Sequence, residues 1–128
     1  MADYLFLPED KVTAKECIAA FDNSIDFYLL VLNSFVKESA KIIEHMNVYK
    51  KANDMEQYRI TVHGLKSSAA SVGFTGLSEH AKESEQCCKA LDWNGAVARH
   101  DALLKELKEA IALINTRISE RQERLQSE

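Results

Sequence analysis

Apolar side chains recur along the chain at alternating steps of three and four residues, and this spacing limits the fold more than any other feature. Such steps place side chains on one face of an α-helix. The longest series has a single polar member, Ser39, and predicts one long helix over residues 24–50. It consists of Tyr28, Leu32, Phe35, Ser39, Ile42, Met46 and Tyr49.

Three more helices follow from the same spacing. Asn53 or Asp54 is the expected N-cap of a helix that ends near Gly73, Thr75 the expected cap of the next, and Asp92 that of the last. Their inward faces are, in chain order, Met55, Tyr58, Val62, Leu65, Ala69 and Val72; Leu77, Ala81, Ser84, Cys88 and Leu91; and Val97, Leu104, Leu107, Ile111, Ile114 and Ile118.

A short helix is expected before these four. Thr13 and Glu16 form a capping-box pattern, which predicts a helix over residues 14–21. Four long helices with one apolar stripe each bury those stripes only against one another. The sequence therefore predicts an all-α protein, an antiparallel up-and-down four-helix bundle with a short additional N-terminal helix. It forms one domain over residues 1–128, with extreme termini able to fray.

The composition limits the cellular compartment and the kinds of partner that are expected for the chain. With 128 residues, 46% of them hydrophobic, the chain is long enough for one core without metal or disulfide help. Basic and acidic residues are interspersed and the net charge is −4, which argues against binding to nucleic acid. No window has the ~18 apolar residues of a membrane span. Cys87 and Cys88 are adjacent and Cys17 is distant, which favours a reduced, cytoplasmic setting. We expect a cytoplasmic monomer that binds another protein.

The segment YRITVHGLKSSAASVG, residues 58–73, surrounds one histidine with small residues. Since His63 follows the inward Val62, its ring points outward, with Lys66 one turn away. Gly64 inside a helix costs about 1 kcal/mol relative to alanine. A protruding nucleophile on a flat surface suits the approach of a second protein. The predicted docking face comprises Arg59, Ile60, Gly64, Ser67, Ala70 and Ser71.

The stretch HGLKSSAASVGFTGLSEHAKESE resembles the histidine-containing phosphotransfer (HPt) family. The residues in register with the family pattern are His63, Leu65, Lys66, Ser68, Ala69, Gly73 and Leu77. DFYLLVLNSF upstream and ALDWNGAV downstream extend the resemblance over most of the chain. The chain departs from the pattern in two places. Ser67 stands where the family usually has glycine, and Ser84 with Glu85 stands where many members have Leu-Glu or Leu-Gln.

This resemblance implies the chemistry of a phosphorelay carrier. His63 would be the phosphoacceptor, Lys66 would neutralise phosphoryl charge, and Glu85 would orient the imidazole. The phosphoryl group would come from a receiver-domain aspartate or a hybrid sensor kinase and pass to the receiver domain of a response regulator. The chain would be a carrier and not an enzyme, without an ATP site or cofactor of its own, and Mg²⁺ would lie on the partner receiver.

Two alternatives use other features of the chain. A non-catalytic adaptor would dock onto receivers or kinases without transferring phosphate. A metal-binding bundle would need the remaining histidines, but His45, His80 and His100 each lack a glutamate three residues earlier, so we expect no metal. His80 adjoins the inward Ala81 and is expected at the edge of the core. The starting methionine and the lack of a linker favour a free-standing protein.

Overall fold

The regular structure is helical throughout the part of the chain that the computed structural model describes, residues 25–127. The helices are α1, Ile25–Lys51; α2, Met55–Ser71; α3, Thr75–Lys89; and α4, Trp93–Gln126. All four predicted long helices are present. The short helix predicted over residues 14–21 lies outside the described residues.

The four helices form a ring of neighbours. Each packs against the helix that follows it, and α4 also packs against α1. The connections, residues 52–54, 72–74 and 90–92, are so short that consecutive helices must run antiparallel. This arrangement confirms the predicted all-α up-and-down bundle.

The helices differ greatly in length. α1 has 27 residues and α4 has 34, whereas α2 and α3 have 17 and 15. The end of α1, the start of α2 and the start of α4 lie at the same end of the bundle. At the opposite end, both long helices therefore extend beyond the α2–α3 hairpin. Beyond Ile114 no described side chain of α4 is fully buried. The tightly packed part of the bundle therefore lies beside the α2–α3 hairpin.

The predicted stripes form the core. Among the most deeply buried side chains are Tyr28, Leu32, Met46, Tyr58, Leu65, Leu77, Leu107 and Ile114. The single polar member of the first stripe, Ser39, is fully buried, and its hydroxyl has no hydrogen-bond partner among the residues that the structure describes. The hydroxyl of Tyr28 donates to the carbonyl of Val72 over 2.8 Å, which joins α1 to the end of α2.

Two of the three predicted helix caps are correct. Asp54 accepts a hydrogen bond from the amide of Gln57 at the start of α2, and Asp92 accepts one from the amide of Gly95 at the start of α4. The prediction for Thr75 is wrong, because Thr75 is the first residue of α3 and Phe74 holds the N-cap position without a side-chain bond. Phe74 is instead buried in the core.

Leu91 is not on the inward face of α3, and that prediction is also wrong. The helix ends at Lys89, and Leu91 has a positive φ of 62° and is 78% exposed. A residue in the left-handed region leaves the helical path, so the spacing of the stripe no longer determines where its side chain points.

α4 contributes a buried histidine that the predicted stripe omitted. The series steps from Val97 to Leu104, and position 100 divides that gap into three and four residues. His100 is 2% exposed, whereas Val97 is only half-buried. The position has the correct spacing, but a histidine there is not counted as apolar.

A polar network surrounds His100. Its Nε2 lies 3.0 Å from the side-chain oxygen of Asn47, and its Nδ1 lies 2.9 Å from the hydroxyl of Tyr58. Trp93 packs edge-on against Tyr58, and its indole nitrogen donates to Asn53. Burial raises the pKa of Tyr58, which keeps this phenol a neutral donor. The network joins α1, α2 and α4.

Candidate functional site

His63 stands on the outer surface of α2. Val62 and Leu65 are fully buried and fix the rotation of the helix, which leaves 55% of the His63 side chain exposed. Gly64 lies beside it, and a Cβ atom added there would meet no atom within 4 Å. The packing of this chain therefore does not require a glycine at position 64.

Glu85 on α3 brings the three predicted site residues together. One carboxylate oxygen contacts Nδ1 of His63, and the other accepts a hydrogen bond from Nζ of Lys66 over 2.8 Å. The Glu85 side chain is only 2% exposed, whereas Lys66 is 27% exposed. A buried carboxylate thus holds a surface imidazole and a flexible cation at once. The roles of these three residues in transfer stay predictions.

The electrostatics of Glu85 favour its ionised form. Burial raises the pKa of this carboxyl, but hydrogen bonds from Lys66 and then His63 act against burial and leave the pKa below its usual value. An ionised carboxylate only accepts hydrogen bonds, so Nδ1 of His63 must carry the proton. The unprotonated Nε2 then carries the lone pair that is available for chemistry.

Ser78 helps to position α3 against α2, and the sequence did not reveal this residue. It lies seven residues before Glu85 and so shares its face of α3. Its hydroxyl donates to the backbone carbonyl of Lys66 over 2.9 Å. The seven-residue spacing from Glu85 was the signal that could have identified it.

Most of the predicted docking face is exposed, and some of its side chains form hydrogen bonds within α2. Ile60 is 49% exposed, and Ser67, Ala70 and Ser71 are exposed. The hydroxyl of Ser71 donates to the carbonyl of Ser67 over 3.0 Å. Small side chains therefore cover the surface that continues from His63 toward the end of α2.

Arg59 has a neighbour of its own on this face. Its guanidinium donates to the carboxylate of Glu56 over 2.6 Å and 3.2 Å. That hydrogen bond raises the pKa of Arg59 and lowers the pKa of Glu56. Lys66, and not Arg59, is therefore the cation that contacts the carboxylate of the site.

The other histidines lie away from this surface. His80 is exposed and its Nδ1 lies 2.5 Å from a carboxylate oxygen of Glu106, so the expectation of a place at the core edge is wrong. The reason is that its ring turns toward α4 and outward. His45 is exposed and its ring lies near that of Tyr49. Within residues 25–127 no group of three His, Cys, Asp or Glu side chains could hold a metal ion.

The comparisons with known proteins agree with the fold. The profile of the Hpt domain family matches residues 30–116, which is more than half of the chain. The chain therefore belongs to the Hpt domain family. Across the residues that the structure describes, no helix is both long and apolar enough to cross a membrane.

One curated relative is Histidine-containing phosphotransfer protein 2 of Arabidopsis thaliana. It is 32% identical over 79 residues, which cover 59% of this chain and 51% of the relative. The chain thus spans about half the length of this relative.

Two solved structures are similar in fold. Histidine-containing phosphotransfer protein B (HptB) of Pseudomonas aeruginosa PAO1 has a TM-score of 0.68 at 23% identity, covering 91% of this chain and 96% of that one. ZmHP2 from maize has a TM-score of 0.75 at 18% identity, covering 96% and 89%. At these identities the two structures support the fold alone.

Proposed function

We propose that the chain is a phosphorelay carrier in which His63 accepts a phosphoryl group from a receiver-domain aspartate, or through a hybrid sensor kinase, and passes it to another receiver aspartate. The observation that carries the proposal is the anchoring of the exposed His63 ring. Its Nδ1 contacts the buried carboxylate of Glu85, which directs the lone pair on Nε2 toward solvent.

The transfer requires one bond to form and one to break. The lone pair of Nε2 attacks phosphorus, the bond to the aspartate oxygen breaks, and the aspartate leaves as a carboxylate. The proton on Nδ1 stays in place and is stabilised by Glu85. The reverse sequence delivers the phosphoryl group to the next aspartate, so His63 needs no general base to attack.

Lys66 supplies the positive charge for the phosphoryl oxygens. It lies one helical turn after His63, and its ammonium is a compact charge on a flexible stem. We expect the acidic pocket and Mg²⁺ to belong to the partner receiver. On this view the chain acts as a carrier without ATP or a cofactor of its own, and its cytoplasmic location remains part of the proposal.

The partner would dock on the open surface of α2 next to His63. Ile60 offers an exposed apolar contact, while Gly64 and Ser67 leave room for the partner's backbone near the ring. An interface with this small-residue centre allows an aspartyl phosphate to come within bonding distance of Nε2.

Intact-mass measurement with a panel of receiver domains charged by acetyl phosphate tests the proposal. The chain should gain one acid-labile phosphoryl group, and His63→Gln should gain none. His80→Gln is the matched control, because His80 is also 55% exposed and also contacts a carboxylate, and it should still be phosphorylated. Labelling that persists in His63→Gln would contradict the assignment.

The adaptor considered from the sequence is not favoured, because His63 and Lys66 both contact the buried carboxylate of Glu85. It makes a different prediction for the same experiment. Receivers would bind this chain, and bind His63→Gln equally, without transferring phosphate to either.

A further inference from the structure

The position of Glu85 makes its counter-ion important at every stage. An ionised carboxylate that is 2% exposed is costly unless a positive charge or strong donors accompany it. Its two oxygens contact different partners, Nδ1 of His63 and Nζ of Lys66. A change of charge on either partner therefore changes how strongly this one carboxylate binds the other partner.

Before transfer, Lys66 is the full cation in direct contact with Glu85. The nucleophile must be a neutral imidazole, because a protonated Nε2 has no lone pair with which to attack. Without Lys66, the carboxylate would favour a second proton on the His63 ring as its replacement counter-ion. Lys66 thus acts on His63 through Glu85, as a positioning residue that supplies this carboxylate with a cation.

After transfer, the charges are different. The new bond uses the Nε2 lone pair, and with the proton still on Nδ1 the ring becomes an imidazolium. Glu85 now contacts a second cation, while the phosphoryl group has brought negative charge to the surface. The flexible stem of Lys66 can reach outward from its place one turn away.

We propose that Glu85 exchanges its counter-ion during transfer: Lys66 accompanies it before phosphorylation and the phosphorylated ring accompanies it afterwards, which releases Lys66 to the phosphoryl oxygens. The proposal rests on the carrier function of His63. It assigns Lys66 two successive contacts, and it makes Glu85 the group that holds the phosphorylated ring in its cationic form, from which phosphate leaves more readily.

Two other ionisable side chains interact with Glu85 and are present in both states. The charge of Glu85 acts to raise the pKa of Arg59 on α2 and the pKa of Cys88 on α3. Arg59 remains paired with Glu56. Among the described residues, neither forms a hydrogen bond or ion pair with His63, so substitutions at Lys66 and Glu85 test the exchange directly.

The first test is a pH titration of the histidine ring nitrogens by NMR on the unphosphorylated full chain. Relative to the unsubstituted chain, the pH at which the His63 signals change should move upward in Lys66→Met and downward in Glu85→Gln. Lys66→Arg keeps a cation and should stay near the unsubstituted chain. The His80 signals are the internal reference, because Glu106 is their carboxylate neighbour and is unchanged in all variants.

The second test uses phosphoramidate, a small donor that transfers its phosphoryl group to imidazole with loss of ammonia and needs no partner protein. The phosphorylated ring should lose its Nδ1 proton at a lower pH in Glu85→Gln, as followed by ³¹P NMR. Its phosphohistidine should also survive severalfold longer near neutral pH, since a neutral ring is the poorer leaving group.

Unmoved His63 signals in folded Lys66→Met, or equal phosphohistidine lifetimes in Glu85→Gln and the unsubstituted chain, would overturn the exchange. Neither measurement involves a receiver. Failure of the carrier function would instead be seen as absent transfer from receivers while the ring titrations still respond, so the two failures are distinguishable.

Discussion

Gly64 is the residue whose cost to the isolated chain is clearest. It lies inside α2, where glycine is about 1 kcal/mol less favourable than alanine, and the space beside it is open. Gly64→Ala should therefore raise the free energy of unfolding by roughly 0.5–1 kcal/mol in urea denaturation. The added methyl lies next to His63, so transfer from a receiver should become slower.

The matched control for Gly64 is Ala70→Gly, on the same exposed surface of α2. It should lower the stability, although less than the full amount because Ala70 is close to the helix end. A Gly64→Ala chain that is less stable than the unsubstituted chain would show that the backbone at position 64 is not ordinary helix.

His100 makes the stability depend on pH. Burial lowers its pKa, and the charge of Lys50 lowers it further. The unfolded chain therefore takes up a proton before the folded chain does as the pH falls. The stability from neutral His100 is complete above its usual pKa of 6.5 and is lost as the pH falls from there toward the folded value.

Urea unfolding from about pH 7.5 to about pH 5.5 measures this effect. The unsubstituted chain should lose more stability across that range than His100→Gln does. His45→Gln removes an exposed histidine and should follow the unsubstituted chain. Parallel profiles for the unsubstituted chain and His100→Gln would contradict the role of His100.

Sequence patterns were sufficient to orient His63 and Lys66, because the buried neighbours on α2 determine which way each points. They could not show that Glu85 is buried. Carboxylates are rarely buried, and its burial depends on α3 packing against α2 at one particular height. The expected pairing of Glu85 with the imidazole came from resemblance, and its second contact with Lys66 is visible only in the structure.

At the scale of the elements, two of the three connections contain a residue other than glycine with positive φ. Asn53 has a φ of 54° and Leu91 a φ of 62°. Asparagine tolerates this conformation, whereas leucine is strained there by about 1 kcal/mol. Since Leu91 is 78% exposed, little packing would be lost on its replacement.

Leu91→Gly should accordingly stabilise the chain by roughly 0.5–1 kcal/mol, measured as the midpoint shift in urea unfolding. Asn53→Ala is the opposing control, since it introduces strain at the equivalent turn and removes the acceptor for Trp93. A loss of stability in Leu91→Gly would mean that its exposed side chain contributes packing after all.

Helix positions were predictable because hydrophobic spacing and Asp caps act within a few residues. The wrong predictions concern positions where a contact with another helix determines how the residue is placed. Phe74 holds the N-cap position of α3 and is fixed there by stacking on Phe35, with ring centroids 5.8 Å apart. His100 fills an apolar position because Tyr58 and Asn47 provide its hydrogen bonds. Such partners come from other helices and leave no local signal.

At the scale of the whole molecule, the bundle follows from four amphipathic helices with short connections, and the family match agrees with it. The positions of the helices along the bundle axis, relative to one another, do not follow from the same pattern. They depend on contacts such as the bond from Ser78 to the backbone of Lys66, which joins two helices at one level.

The site is divided between the two shorter helices, with the imidazole on α2 and its carboxylate on α3. Sliding one of these helices by a single turn would move the two groups about 5.4 Å apart along the axis. Under the proposed function, reactivity at His63 would therefore depend on the position of α3 along α2. On the same proposal, a shift of α3 along α2 would remove the carboxylate from the imidazole even if the apolar core stayed together, so loss of phosphoryl transfer can precede loss of the fold.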